Sequence, residues 1–432
     1  MTNLKVGLLI AICFAVSAQL YVRRVMVPHQ RAEAALHDFP RGNLSDLYPR
    51  WIGARELLLH HRDPYGVEVT REIQVGYYGR ALDPSRPSDP HDQQAFAYPV
   101  YVVFFLAPFV NFPFQIIQAF FYGILVLIVA VSDILWFRVL NWHPSHHGTA
   151  VVIVLTIGSL QVIKAVELQQ LTLVVAALLA VVILLAVRSR FTGAGILLAC
   201  ATVKPQLAFP IAAWLIFWSL SDWRRRRTLF LAFLVTFGIL LGSAEWILPG
   251  WIPEFWRGVF AYLQYTHATS LFDDLTHSDL GLLLTAPVLL FTCWTCWTVR
   301  HEPERSPHFV FACALVLATT LVLIPTDSTY NQVLLLPGIL LLAGSQSILS
   351  SKNLSTRILF IIAAITIFWP WIAALGLTVA SFILPASRVQ QAWAIPFYTS
   401  IAIPLAVLAL LFQYAFQILR SGEQTKFASE RS

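Results

Sequence analysis

A chain of 432 residues that is 57% hydrophobic and only 12% charged, with a mean hydropathy of +0.68, lacks the polar surface that a water-soluble globule of this length needs. The composition excludes a soluble enzyme and points to an integral membrane protein, whose backbone amides are satisfied inside helices where water is absent. The net charge of +6 includes a WRRRR run at 223–227 that reads as a cytoplasmic stop, so no nucleic-acid partner is expected.

A spanning helix takes about 20 mostly apolar residues. The first such segment, near 6–22, follows Lys5 and has the look of a signal peptide. No small-residue cleavage site follows it, so it is expected to persist as a helix. The stretch 23–97 then breaks the apolar habit with ten Arg, ten Asp or Glu, and Pro64, Pro84, Pro87 and Pro90. It is too polar for hydrocarbon and too patterned for a linker. The run YPVYVVFFLAPF at 98–109 is short and reads as a helix at the membrane edge. Further apolar segments lie near 113–137, 149–164, 170–187, 192–203, 206–220, 228–248, 280–298, 308–325, 331–348, 357–384 and 393–419, about twelve in all with the first. Those at 192–203 and 206–220 are too short to span alone and read as a tilted hairpin turning at Lys204-Pro205.

The expected fold is therefore an all-α polytopic membrane protein, one integral domain over 1–432. Its parts are a large first extracytoplasmic loop at 23–97, a second outer loop at 249–279 and a cytoplasmic tail at 420–432. With the N-terminus inside, the cytoplasmic pieces carry Lys5, Arg138, Arg188, Arg190, Arg224 to Arg227, Arg300, Arg305, Lys352, Arg357, Arg420, Lys426 and Arg431. The short outer pieces carry only Lys164, Lys204, Arg257 and Arg388, the asymmetry expected of the positive-inside rule. This orientation gathers the unusual polar positions outside: the first loop, Glu167-Leu168-Gln169-Gln170, Lys204-Pro205-Gln206, the second loop and Thr326 to Asn331. Ionisable groups at a membrane edge are costly unless used or paired, which makes that face a functional-site candidate.

Within NLSDLYPRW, Ser45 or Asp46 can cap a helix running to about His60, with Pro49 tolerated in its first turn. Asp46 has a second reading as a general base towards a hydroxyl, since a carboxylate at a helix entrance is rigidly held. Asp63-Pro64-Tyr65-Gly66 has the residue order of a turn, and Tyr98-Pro99 fixes an extended entry to the edge helix. Lys204 interrupts an apolar segment, so its ammonium either snorkels or meets an anion. A lipid-linked phosphate suits that depth, and Gln206 and Gln169 offer neutral donors. Lys164 and Glu167 share a helical face and can pair. The His/Asp mixture at 249–279 matches no ligand spacing, and no metal or other cofactor is expected. The five cysteines all sit in apolar runs, and Cys293-Trp-Thr-Cys296 reads as packing. P-loop, GxGxxG, GxSxG, HExxH and DxD patterns are absent, which disfavours an ATP-driven pump and a soluble-type nucleotide-sugar enzyme.

A first helix followed by Asp46-Leu47-Tyr48, then Arg62-Asp63-Pro64-Tyr65-Gly66, then Phe96-Ala97-Tyr98-Pro99 into a stretch ending Leu106-Ala107-Pro108-Phe109, and later Val203-Lys204-Pro205-Gln206-Leu207 before the Arg run, resembles glycosyltransferase family 87. These are DUF2029-type bacterial membrane enzymes of the GT-C class, typified by polyprenyl-phosphate-mannose-dependent α-mannosyltransferases. The resemblance implies an inverting transfer of a hexose, mannose first, from polyprenyl phosphate to a lipid or glycan acceptor on the outer face of the bacterial inner membrane. It implies Asp46 as the catalytic base, with Asp63, Tyr65 and Tyr98 shaping the site and Lys204 and Gln206 lining it. The family's Tyr-Pro-Pro is Tyr98-Pro99-Val100 here, its Asn-x-Ser-Leu element is Ala268-Thr269-Ser270-Leu271, and a late histidine is replaced around Tyr330-Asn331, which joins the substrate-binding candidates. A lipid or oligosaccharide transporter and a non-catalytic envelope assembly protein are the alternatives. The first calls for internal repeats, which the chain does not display.

Overall fold

The computed structural model describes residues 2–36, 44–83, 85–265, 269–276, 278–324, 328–345 and 354–429. It is 81% helix, and no strand occurs among the described residues. Helix α1 (Thr2–Tyr21) does not stop at the expected boundary near residue 22. It passes through a π-helical turn, Val22–Met26, into α2 (Val27–Leu36). The chain stays helical because Val22, Val25 and Met26 are buried with Tyr21 against Trp371 and Val389, with Trp393 and Phe397 alongside. The polar loop therefore begins a dozen or more residues later than its composition suggests.

That loop is itself folded. Helix α3 (Leu47–His60) carries Pro49 in its first turn and ends on His61, whose φ of 53° is left-handed. Helix α4 (Val67–Tyr78) ends on Gly79 at φ 89°. A glycine on each helix admits a close-packed aromatic ring. An ideal Cβ on Gly53 of α3 would lie 2.2 Å from the Phe96 ring, and one on Gly76 of α4 would lie 2.0 Å from the Tyr48 hydroxyl. The expected edge helix is α5 (Val102–Leu106), continued by a 3-10 turn at Ala107–Phe109.

The membrane part follows as α6 (Phe114–Val139), α7 (His146–Ile157), α8 (Leu160–Glu167), α9 (Leu171–Val187), α10 (Phe191–Ala201), α11 (Pro205–Ser221) and α12 (Trp223–Ile247). After α12, the short helices α13 (Trp251–Tyr265) and α14 (Leu271–Leu275) precede α15 (Ser278–Val299) and α16 (Pro307–Leu323). A 3-10 turn at Thr329–Leu335 leads into α17 (Leu336–Gly344), and α18 (Leu354–Ile383) comes next. The final helix, Ala402–Ser429, runs on through most of the segment expected as a tail.

Among the described residues six helices are long and apolar enough to cross a membrane, seven if α7 and α8 form one span bent by 58°. The expected count of about twelve also included five shorter apolar helices, α9, α10, α11, α16 and the 3-10 turn with α17. Burial separates the extremes of the two groups. Every residue of α16 from Phe309 to Val322 is buried, whereas α12 exposes Leu231, Leu234, Val235 and Ile239. Helix α16 is enclosed by protein along its length, α10 and α11 still expose Ile196, Phe209 and Leu220, and the exposed apolar face of α12 is the kind that suits lipid.

The Arg run holds one surprise. Arg226 is only 1% exposed, and its guanidinium donates to the carbonyls of Trp218, Arg300 and Glu302 at 2.8–3.1 Å. It ties the start of α12 to the α15–α16 turn, beyond any role as a solvated stop.

Candidate active site

The polar loop, the α10–α11 turn and α13 enclose a cavity of ≈ 520 Å³. Asp46 just before α3, Arg50 of α3 and Tyr77 of α4 line one wall, and Asp92, Gln94, Tyr98 and Pro99 another. Lys204, Pro205 and Gln206 come from the hairpin turn, Leu168 and Gln170 from the α8–α9 turn, and Tyr330 and Asn331 from the 3-10 turn. Helix α13 closes it with Phe255, Trp256, Val259, Tyr262 and Leu263, a spacing that puts all five on one helical face.

Asp46 precedes α3 but does not cap it: φ is −70°, ψ is −12°, and its side chain makes no capping bond. Ser45 Oγ takes the N–H of Leu47 at 3.3 Å. The Asp46 carboxylate turns into the cavity, where Oδ1 accepts from the Tyr77 hydroxyl at 3.3 Å and Oδ2 accepts from Gln170 Nε2. Its backbone N–H donates to the Leu168 carbonyl at 2.9 Å. Burial pushes the Asp46 carboxyl above the usual carboxylate range, opposed by the positive charges of Arg50 and Lys204 and by the Tyr77 hydroxyl. A base of raised affinity for protons is what hydroxyl activation calls for.

Lys204 does not snorkel. It is 4% exposed, and Nζ donates to Gln170 Oε1 at 3.2 Å and to Thr172 Oγ1 at 2.5 Å, 5.1 Å from the centre of the Tyr330 ring. Thr172 in turn donates to Asn331 Oδ1 at 3.1 Å. The hairpin turn presents this lysine because Pro205 occupies the first position of α11, where a missing N–H costs nothing.

Arg50, which the sequence reading passed over, is the second cation. Its guanidinium stacks 4.4 Å above the Tyr98 ring and donates to the Asp46 carbonyl. It lies one turn beyond Asp46 on α3, a spacing readable from the chain. Asp92 is the second carboxylate. It accepts from the Gln94 backbone and side chain at 2.9 and 2.7 Å, and burial holds its pKa above the usual range.

Of the expected site residues, Asp46, Tyr98, Lys204, Gln206, Tyr330 and Asn331 share the cavity wall. Asp63, Tyr65 and Gln169 do not. Asp63 Oδ1 takes the N–H of Tyr65 at 2.9 Å, forming the turn its sequence spells. The Tyr65 hydroxyl donates to the Tyr98 carbonyl at 2.6 Å, supporting the wall from behind. Gln169 has a left-handed φ of 48° and spends its amide on the Val166 and Glu167 carbonyls at 2.8 and 2.7 Å and on Gln118. Its neighbour Gln170 is the one that faces the cavity. Thr326 and Asp327 of the late polar cluster, and His267 and His277 of the second loop, lie outside the described residues. Among the described residues no group of three His, Cys, Asp or Glu side chains is arranged to hold a metal.

The family model described as Glycosyltransferase family 87 matches residues 96–325, more than half of the 432. The match takes in Tyr98, Lys204, Gln206 and α13, while Asp46 precedes it and Tyr330 and Asn331 follow it. No curated protein and no solved structure matches the chain. An all-helical fold with several spanning helices, built around a charged cavity and carrying this match over more than half its length, identifies the chain as a membrane glycosyltransferase that belongs to glycosyltransferase family 87.

Proposed function

We propose that the cavity is the transfer site and that the enzyme moves a hexose, mannose first among the candidates, from a polyprenyl phosphate to a lipid or glycan acceptor on the outer face of the bacterial inner membrane. The single observation that carries this reading is the opposition of Asp46 and Lys204 across one cavity, a carboxylate and an ammonium bridged by Gln170. Asp46 accepts the proton of the acceptor hydroxyl as its oxygen attacks the anomeric carbon. The bond from that carbon to the phosphate oxygen breaks, its electron pair stays on the phosphate, and a single displacement inverts the configuration. Charge grows on the phosphate as it departs, and Lys204 and Arg50 stabilise it where it develops. Asp46 is left protonated, a state that its buried setting favours. Holding both substrates together in one site supplies much of the rate. Tyr262 and Trp256 of α13 offer faces for a sugar ring.

The test is to reconstitute the purified protein in lipid, supply radiolabelled polyprenyl-phosphate hexoses with a membrane lipid extract, and resolve the labelled products. A labelled glycolipid formed from the mannosyl donor supports the reading. Transfer from another lipid-linked hexose alone would replace mannose, and transfer from none would remove the polyprenyl-phosphate donor.

A further inference from the structure

We infer that Gln170 is a positioning residue that sets the protonation of Asp46 and ties it to the lysine of the cation pair. The inference rests on the proposed role of Asp46 as base.

The Gln170 side chain is 3% exposed and has both ends engaged. Lysine can only donate, so Nζ of Lys204 fixes Oε1 on its own side at 3.2 Å and leaves Nε2 for the Asp46 carboxylate. The backbone around it is fixed as well. The Gln170 N–H donates to the Ala165 carbonyl at 2.8 Å, closing α8, and its carbonyl accepts from Leu173 at 3.3 Å as α9 begins. The preceding residue, Gln169, is the left-handed one. The same turn grips Asp46 a second time through the Leu168 carbonyl. A single rigid corner between two helices thus holds the carboxylate by its backbone and by its side chain.

Donation to a carboxylate favours its charged form, and a neutral amide does so without adding charge. Other groups act on Asp46 as well. Arg50 on its own helix and Lys204 on the hairpin turn favour the charged form, as does the Tyr77 hydroxyl of α4, while Asp92 opposes it. Tyr262 and Tyr330 face the cavity from α13 and the 3-10 turn and feel the Asp46 charge. Gln170 is the member of this set that touches both Asp46 and Lys204 directly.

The experiment is a pH titration of the Asp46 carboxyl by infrared difference spectroscopy in proteoliposomes, its band identified as the one lost in Asp46→Asn. In Gln170→Met the midpoint is expected to rise by about one pH unit, the equivalent of one lost hydrogen bond to a charged group. In Gln170→Glu it rises further, because a second carboxylate replaces the donor. A midpoint unmoved in both variants overturns the inference. If Gln170→Met fails to fold, Gln170→Glu, which keeps an oxygen for Lys204, carries the test. Sugar transfer by Asp46→Asn in parallel separates the two claims. An active Asp46→Asn sinks the base reading whatever the midpoint does, and an inactive one with unmoved midpoints sinks only Gln170.

Discussion

Asp46 and Lys204, far apart in the chain, are the two ends of one hydrogen-bonded relay through the buried amide of Gln170. The loop helix α3 brings the carboxylate, the α10–α11 hairpin brings the ammonium, and the α8–α9 corner joins them. None of the three segments makes a site alone, and each contributes through a turn where backbone geometry fixes the side chain.

Lys204→Gln should weaken use of the lipid-linked donor by about 2–5 kcal/mol in kcat/KM, the scale for losing a charge that meets a charged ligand. The amount of folded protein should be unchanged, since glutamine can still donate to Thr172. Steady-state kinetics beside size-exclusion profiles checks this. Unchanged kinetics would leave Lys204 a packing residue.

Activity should fall on the acid side with a midpoint above 3.8, the ordinary value of an aspartate, because burial raises the Asp46 pKa. The sign also fixes stability. A carboxyl whose folded pKa is raised opposes folding where the unfolded group is ionised, and that opposition is relieved as pH falls through the folded value. A rate profile from pH 4 to 8, with thermal unfolding over the same range, tests both.

Gly53→Val should lower the unfolding temperature, since its Cβ must displace the Phe96 ring, which is fully buried and meets Tyr65 edge-on at 5.3 Å. Overpacking of this kind costs about 1–3 kcal/mol. Gly123→Ala on α6, where nothing lies within 4 Å of an ideal Cβ, should leave it unchanged. Thermal unfolding in detergent reads the pair.

Orientation is tested by cysteine labelling in a cysteine-free background. Ser88→Cys, exposed in the first loop, should react with an impermeant maleimide in intact spheroplasts. His301→Cys, exposed in the α15–α16 turn, should react only after permeabilisation. The reverse pattern would move the cavity to the cytoplasm.

The parts of the site that could be read from the chain are those where residue type and position together force a geometry. Pro49 and the polar residues before it mark the start of α3. Pro205 marks the start of α11 and so the placement of Lys204 at the turn before it. Gln169 and Gln170 are identical in type and adjacent, and only the left-handed φ of Gln169 sends one into the corner and the other into the cavity. Such a φ on a residue other than glycine is uncommon and is imposed by packing, which no local pattern reveals. The length of the first helix was hidden for a related reason. Arg23 and Arg24 end the apolar run, but Val22, Val25 and Met26 on the other side of the helix find Trp371 and Val389, from the far end of the chain. Burial likewise tells apolar runs apart: α16 is buried from Phe309 to Val322, while the apolar part of α12 exposes Leu231, Leu234, Val235 and Ile239.

The account depends most on Asp46. Asp46→Asn keeps the shape of the side chain and can still accept from Gln170. Because burial opposes the charge, the variant should unfold at the same temperature as the parent or a higher one. Loss of the base should lower sugar transfer by on the order of 10²–10⁴. The decisive measurement is the transfer rate of purified, folded Asp46→Asn against the parent with the same donor and acceptor. A folded variant with transfer reduced a hundredfold or more is the expected result, and a folded variant that transfers sugar at the parent rate would contradict the account.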